Sequence, residues 1–529
     1  MRHQVFVRTL ILGLFFAFCL CAQRDLSTVL GTVTDPQGGV VPNAKIIITE
    51  DATGVSYDVT TNAEGEFIRP LIKPGMYTVS VEATGFKKAV QKGVELTAGG
   101  RTAVPITLSV GEISQSVEIT ASAPLLQTES TIIGQDLNTR QTSELPLGGT
   151  RVFTFLARLS PGVVPGEPGA RDEAGGSFSA NGVRSNGQNN FLLNGVDNNV
   201  NVIDFLNQSA FVVGPSVDAI GEMTILTNGY NAEYGRGAGG VVNVTLKSGT
   251  NEYHGTLFEY LQNDDLNANT WENNKNATAR ASYKQNQFGA TFGGPIFKNK
   301  LFFFADYQGT RIASNSAALN LGIGGNMTIP TPAEISGNFS QVLTNTVLGT
   351  DARGNTIYQG QIFDPNSTAT VNGQPVRTPF PGNIIPPSRL DPASAKIAAL
   401  FPKPNTNFTM SGAAPTNDYF IVTPVSEPIN QGDARVDYHI SDKDTLFGSM
   451  SWSERDQSNG PPLPGALDAT YFASAVEQDL ARNAMLSYTR VWSPTFISET
   501  RVAFTRLVTS RTQAYPNVDQ FKAFGIGGY

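Results

Sequence analysis

The chain has 529 residues, 40% hydrophobic, 9% aromatic and 16% charged, with a formal net charge of −8. That length exceeds one ordinary domain, and low charge, 53 glycines and 31 phenylalanines fit a β-rich protein with numerous turns. No basic patch interleaved with aromatics stands out, so no nucleic-acid partner is expected.

Residues 1–22 carry Arg2 and Arg8, then the apolar run from Leu10 to Leu20, then Cys21-Ala22-Gln23. This order predicts a secretory signal peptide cleaved after Ala22, too short for a permanent transmembrane helix. Cleavage before a lipidated Cys21 is the competing reading, and Leu20 is a poor residue before such a cysteine. Cys19 and Cys21 are the chain's 2 cysteines. A mature chain without them has no disulfide, thiolate metal site or cysteine nucleophile. No later stretch is apolar over about 18 residues, so a membrane-spanning part has to be a β-barrel, whose strands alternate lipid-facing apolar and lumen-facing polar residues.

From residue 27 to about 112 the chain reads as short strands, over Thr28–Thr34, Ala44–Glu50, Val55–Thr61, Phe67–Leu71, Gly75–Ala83, Ala89–Leu96 and Thr102–Ser109. Turn signals at Asp35-Pro36-Gln37-Gly38, Asn62-Ala63-Glu64-Gly65 and Lys73-Pro74-Gly75 separate some of them. Such a series predicts a small antiparallel β-sandwich. Its aromatics, Tyr57, Phe67, Tyr77 and Phe86, are accounted for by core packing. Beyond it, Val117-Glu118-Ile119-Thr120 alternates briefly, as an eighth strand or a linker would.

Residues 125–217 mix helical and extended signals. Gly149–Leu159 places Val152, Phe153, Phe155, Leu156 and Leu159 near helical spacing, and Ser160-Pro161-Gly162 stops it. Pro165–Gly176 reads as a loop, and Ser177–Ala180 and Asn190–Leu193 as strands, with Asn194-Gly195 as a hairpin turn. Asp197-Asn198-Asn199-Val200-Asn201 resembles the start of a calcium loop, but Val202 and Gln208 stand where that motif needs Gly and Glu, which leaves an Asn-rich turn.

Gly235, Gly237 and Gly240 match a dinucleotide-binding spacing, yet they open a strand and not a helix. Val241–Leu246 alternates, Ser248-Gly249-Thr250-Asn251 turns, and Tyr253, Gly255, Leu257 and Glu259 begin a second strand, so two strands with a tight connection are expected. Further on, Gln287–Gly293 pairs with Lys300–Gln308, Asp433–Ile440 with Thr445–Glu454, and Asn483–Trp492 with Thr495–Arg506. The segment KLFFFADYQ is aromatic enough for an interfacial girdle. Short turns alternate with long insertions such as 311–430, the asymmetry of an outer-membrane barrel, with a soluble β protein bearing large loops as the alternative.

Several phrases carry a resemblance: SANGVRSNGQNNFLLNGVDNN, DAIGEMTILTNGYNAEYGRGAGGVVNVTLKSGTNEYHGTLFEY, QNQFGATFGGPIFKNKLFFFADYQGTR and PGNIIPPSRLDPASAKIAALFPKPN. They resemble TonB-dependent outer-membrane receptors of the Oar-like group. The earlier GTVTDPQGGVVPNAKIIIT and TTNAEGEFIRPLIKPGMYTVSVEATGF resemble the carboxypeptidase-regulatory-like domain, a prealbumin-like, carbohydrate-binding-like sandwich. The resemblance implies a mainly β chain: signal peptide 1–22, sandwich 23–112, a TonB-interacting segment 113–124, an α+β plug 125–247, and from 248 to 529 the first part of an antiparallel transmembrane barrel. It implies that TonB pairs with Val117, Glu118, Ile119 and Thr120. The further partners are outer-membrane lipid and an unknown extracellular substrate.

Too few strands follow residue 249 to close a barrel of this class, and lipid tolerates no open sheet edge, so the sequence is expected to be a fragment lacking its C-terminal part. Catalysis has little footing: His254 and His439 lie far apart, and neither H-E-x-x-H nor G-x-S-x-G occurs. N-x-[ST] sites such as Asn207-Gln208-Ser209 fit chance in an Asn-rich chain. The expectation is an exported outer-membrane receptor that takes up a siderophore, oligosaccharide or peptide, with no enzyme activity, cofactor or metal. A surface adhesion or scaffold protein and a secreted carbohydrate-binding protein are the alternatives. Membrane partitioning and periplasmic access to residues 112–124 separate the three.

Overall fold

The computed structural model describes residues 26–112, 116–120, 132–145, 147, 151–166, 177–183, 189–200, 210–275, 277, 279–315, 325–406, 409–411, 414–460, 463, 467, 475–493, 496–513 and 519–526. The expected signal peptide, most of the loop after Pro165 and the last residues of the chain lie outside that set.

The first unit is a two-sheet sandwich built from β1 (Ser27–Thr34), β2 (Lys45–Glu50), β3 (Ser56–Thr60), β4 (Glu66–Ile72), β5 (Gly75–Glu82), β6 (Lys88–Leu96), β7 (Arg101–Ala103) and β8 (Ile106–Thr107). Alternate residues point inward: Ile46 and Ile48 of β2 and Tyr77, Val79 and Val81 of β5 are buried, which is how a half-buried strand packs. One sheet runs β4-β1-β7, with β8 also on β1, and the other β3-β2-β5-β6-β9, where β9 is Ser116–Thr120. The expected antiparallel sandwich is corrected here. β1 pairs parallel with β7 and β8, and β6 pairs parallel with β9. The expected last strand, Thr102–Ser109, is split at Val104-Pro105, where proline offers no amide to a ladder.

The second unit is a sheet in the order β10-β15-β16-β13-β14, from β10 (Ile133–Asn138), β13 (Asn190–Leu193), β14 (Val196–Asp197), β15 (Ile220–Asn228) and β16 (Val241–Leu246). A separate ladder joins β11 (Val163–Pro165) to β12 (Phe178–Ala180). Asn138 opens the short helix Thr139–Glu144 with a capping box to Gln141. The helical pattern near Gly149–Leu159 becomes a 3₁₀ helix over Phe153–Leu159. Arg151 sits at φ 49°, outside helical space, so no helix runs through it.

The third unit is a seven-stranded antiparallel sheet in the order β17-β18-β19-β28-β29-β30-β31. Its members are β17 (His254–Asn263), β18 (Tyr283–Phe297), β19 (Leu301–Ser314), β28 (Val425–Ser441), β29 (Asp444–Asn459), β30 (Ala475–Ser493) and β31 (Phe496–Gln513). Neighbours pair in simple sequence order, as a meander does. Residues 298–300, 442–443 and 494–495 are the short connections; 264–282, 315–424 and 460–474 are the long ones. The longest folds into small ladders: β20 (Gly325–Met327) with β27 (Tyr419–Ile421), β21 (Val347–Thr350) with β22 (Thr356–Tyr358), β23 (Ala369–Val371) with β24 (Gln374–Val376), and β25 (Thr409–Ser411) with β26 (Ala414–Thr416). Among the described residues β17 and β31 do not pair with each other, so this sheet is an open arc.

One expectation near the junction is corrected. β16 and β17 are both strands, but they belong to different sheets, and all six residues of β16 are buried. The three expected hairpins are present, with strands several residues longer at their far ends than the sequence signals suggested.

Candidate functional site

The arc has an inverted polarity. Along β30, Glu477, Asp479, Asn483, Ser487 and Thr489 are buried, while Val476, Leu486 and Trp492 are exposed. β18 buries Gln285, Gln287 and Thr291 and exposes Phe292 and Ile296, and β31 exposes Val502 and Phe504. A soluble sheet does the opposite. Apolar-out and polar-in alternation is what a wall between lipid and an aqueous lumen requires. Exposed aromatics cluster near the short connections, where Tyr253 stacks on Phe292 at 5.9 Å and Trp492 on Phe496 at 6.3 Å. Of the aromatics of KLFFFADYQ, from which a girdle is expected, Tyr307 is exposed and Phe303 partly exposed. Phe302 and Phe304 turn inward, the first into the sandwich core and the second into the core of the second unit.

Glycines on one strand make room for aromatic rings on the next. A Cβ on Gly289 would lie 2.5 Å from the Phe258 ring, and one on Gly309 would lie 2.6 Å from the Phe288 ring. Both are direct register pairs, which strengthens the ladder by covering backbone with ring.

The second unit lies against the polar face of this wall, and its point of contact is the hairpin turn between β13 and β14. Asn194 and Gly195 have φ of 50° and 71°, the left-handed pair that a two-residue type I′ turn needs. Asn194 is buried and bonded on all sides: its Nδ2 donates to Ser449 Oγ at 3.1 Å and its Oδ1 accepts from Leu246 N at 3.0 Å. Arg501 Nη1 donates to the Asn194 carbonyl at 3.1 Å, and Thr505 Oγ1 to the Asp197 carbonyl at 3.2 Å. Arg435 Nη1 reaches the Leu246 carbonyl at 3.2 Å, and Ser248 Oγ donates to Asp437 at 2.7 Å. Gln431 Nε2 donates to the Gly214 carbonyl at 3.1 Å. On the other flank the Arg151 guanidinium stacks 3.8 Å over the Tyr260 ring while pairing with buried Asp218 at 2.9 Å. Most of the named contacts are polar, so the unit is held inside the arc by bonds that water can replace.

The Asn-rich stretch after Val196 is structural. Asn198 donates to the Val213 carbonyl at 2.7 Å and accepts from its amide at 3.0 Å, and Asn199 Nδ2 donates to Asn190 Oδ1 at 2.9 Å. No metal-holding cluster of His, Cys, Asp and Glu occurs among the described residues. The glycines at 235–240 precede β16 and meet no helix.

The sandwich sits at the short-connection end. Asn251 Nδ2 donates to the Thr53 carbonyl at 2.5 Å and to Asn299 Oδ1 at 2.6 Å, and Tyr57 meets His439 edge to face at 5.8 Å. The sandwich also touches the second unit directly, since Ala98 N donates to Glu222 Oε1 at 2.9 Å. Burial pushes Glu222 up to about 8, with Asp136 and Glu95 adding to the shift and the Ala98 amide opposing it.

Val117–Thr120, singled out from sequence, is ordered as part of β9 at the edge of the sandwich. It lies in the sheet of β6, separate from the wall contacts of Asn194 and Arg435. Those contacts had no sequence signal, because they join residues as far apart as Asn194 and Arg501.

Two family profiles match the chain: an outer membrane beta barrel domain over residues 245–529 and a carboxypeptidase regulatory-like domain over residues 28–109. The TonB-dependent transporter Oar of Myxococcus xanthus is 30% identical over 311 residues, which is 56% of this chain and 27% of that protein. The chain therefore spans about a quarter of the length of this curated relative. Among solved structures, the outer membrane transporter YddB from Escherichia coli matches with a TM-score of 0.40 and 12% identity over 70% of this chain and 38% of that one. A ferric enterobactin receptor (PfeA) from Pseudomonas aeruginosa matches with a TM-score of 0.39 and 13% identity over 73% and 42%. With a profile covering more than half of its residues and a wall that is apolar outside and polar inside, the chain belongs to the outer membrane β-barrel domain family.

Proposed function

We propose that this protein is an energised outer-membrane transporter that takes up a large substrate, such as a siderophore, oligosaccharide or peptide, with the second unit as its plug. The observation that carries the reading is the polar interface between that unit and the lumenal face of the wall, centred on Asn194. A scaffold would gain more from an apolar interface, whereas a plug that must move needs contacts that exchange with water at little cost. TonB supplies the work by pairing with Val117–Thr120 on the periplasmic side, so the protein needs no nucleotide site of its own. The similarity to a protein named as a TonB-dependent transporter supports the same reading.

The test uses the protein expressed from its complete gene. Sucrose-gradient fractionation and heat-modifiability on a gel are combined with a pull-down by the periplasmic domain of TonB, for the wild type and for a deletion of Val117–Thr120. Outer-membrane recovery with binding lost in the deletion is the expected result. Recovery in that membrane with no binding by either form would rule out energised transport and favour the adhesion protein.

A further inference from the structure

β9 is not a free tail. It pairs parallel with β6 over five register pairs, Lys88 with Ser116 through Lys92 with Thr120. Without it, β6 would be the exposed edge of its sheet. Lys92 Nζ and the Glu118 carboxylate are 3.0 Å apart, but both are more than half exposed and the pair adds little. The backbone ladder is what holds the strand. β9 is the last strand of the sheet order β3-β2-β5-β6-β9, so its far edge is open among the described residues. Val117 and Glu118 are exposed beside it. An open edge of this length is what an extended peptide needs in order to add as a further strand.

β6 then leads straight to the plug. It ends at Leu96, and two residues later the Ala98 amide is bonded to Glu222 in β15, which is laddered to both β10 and β16 in the plug sheet. One extended strand therefore joins the β9 ladder to the middle of the plug.

Resting on the proposed TonB-coupled transport, we infer that the TonB strand adds to the open edge of β9 while β9 stays on β6, so that the sandwich is part of the body that is pulled. The force then enters the plug through β6 and the Ala98–Glu222 contact as well as through the chain that follows β9. On this reading the sandwich is a lever between partner and plug. Its seat against Asn251 and His439 is the contact that has to yield first.

Two measurements on the full-length protein test this. Ala89 and Val117 are register partners, so A89C/V117C creates a lock that is closed by oxidation and opened by reductant. The oxidised and reduced forms of this variant are expected to bind the periplasmic domain of TonB with the same affinity. Binding lost on oxidation and restored by reduction would mean that β9 must leave β6, and the inference falls. In the unmodified protein, hydrogen exchange in the complex is expected to show new protection in 116–120 with protection kept in Lys88–Lys92; lost protection in Lys88–Lys92 overturns it. If deleting Val117–Thr120 leaves TonB binding intact, the proposed function fails as well, and that outcome is distinct from a failure of the lock alone.

Discussion

Glu222 shows how one buried carboxyl joins two units. Its ordinary value of 4.5 is pushed up to about 8, first by burial. Below about pH 4.5 it is protonated in both the folded and the unfolded chain and costs nothing. Between the two values the folded chain holds a proton that the unfolded chain has released, so stability falls as pH rises through that window. Glu222→Gln keeps an acceptor for the Ala98 amide and removes the charge. Melting of the purified protein in detergent is expected to show the variant more stable than wild type near pH 8 and equal to it near pH 4.5. An advantage of the same size at both pH values would refute the assignment. Arg151→Ala is the opposite case. It strands the buried Asp218 carboxylate and removes a cation from the Tyr260 ring. The expected loss is about 3–5 kcal/mol, read as earlier proteolysis of the second unit, and a loss within error of zero would show that another cation takes over.

At the scale of an element, the wall depends on parity. Leu486 and Ser487 are adjacent in β30, one half exposed and the other buried. Leu486→Arg puts a charge on the lipid face, with an expected cost of about 2–4 kcal/mol near the bilayer midplane and loss of the heat-modifiable band. A normal band at wild-type level would place that face away from lipid. The hairpins of this wall were readable from sequence, because alternation and turn residues are local. The inward turn of Phe302 and Phe304 was not. Three adjacent phenylalanines give no parity by themselves, and only the cores waiting behind the strand select which of them go in.

For the whole molecule, the proposed transport requires the second unit to leave the wall. Asn194 and Ser449 lie within hydrogen-bond distance, so N194C/S449C is expected to form a disulfide that stops substrate uptake, with uptake returning on reduction. The matched control is outer-membrane recovery, which should not change. Full uptake by the oxidised protein would show that substrate passes without movement at this turn.

Period-2 patterns and turn residues act over a few positions, which made the strand-rich sandwich, the Asn194-Gly195 turn and the paired strands of the wall legible in the sequence. The sequence left open whether Val117–Thr120 was a linker or an eighth strand, and the alternation over Val241–Leu246 does not say that both of its faces are buried. Packing of distant segments is what shows that all of β16 is buried, that β9 caps the sandwich edge in parallel, and that Asn194 meets Ser449 and Arg501. Each of these joins segments distant in sequence, and a local pattern carries no information about which distant surface will cover it.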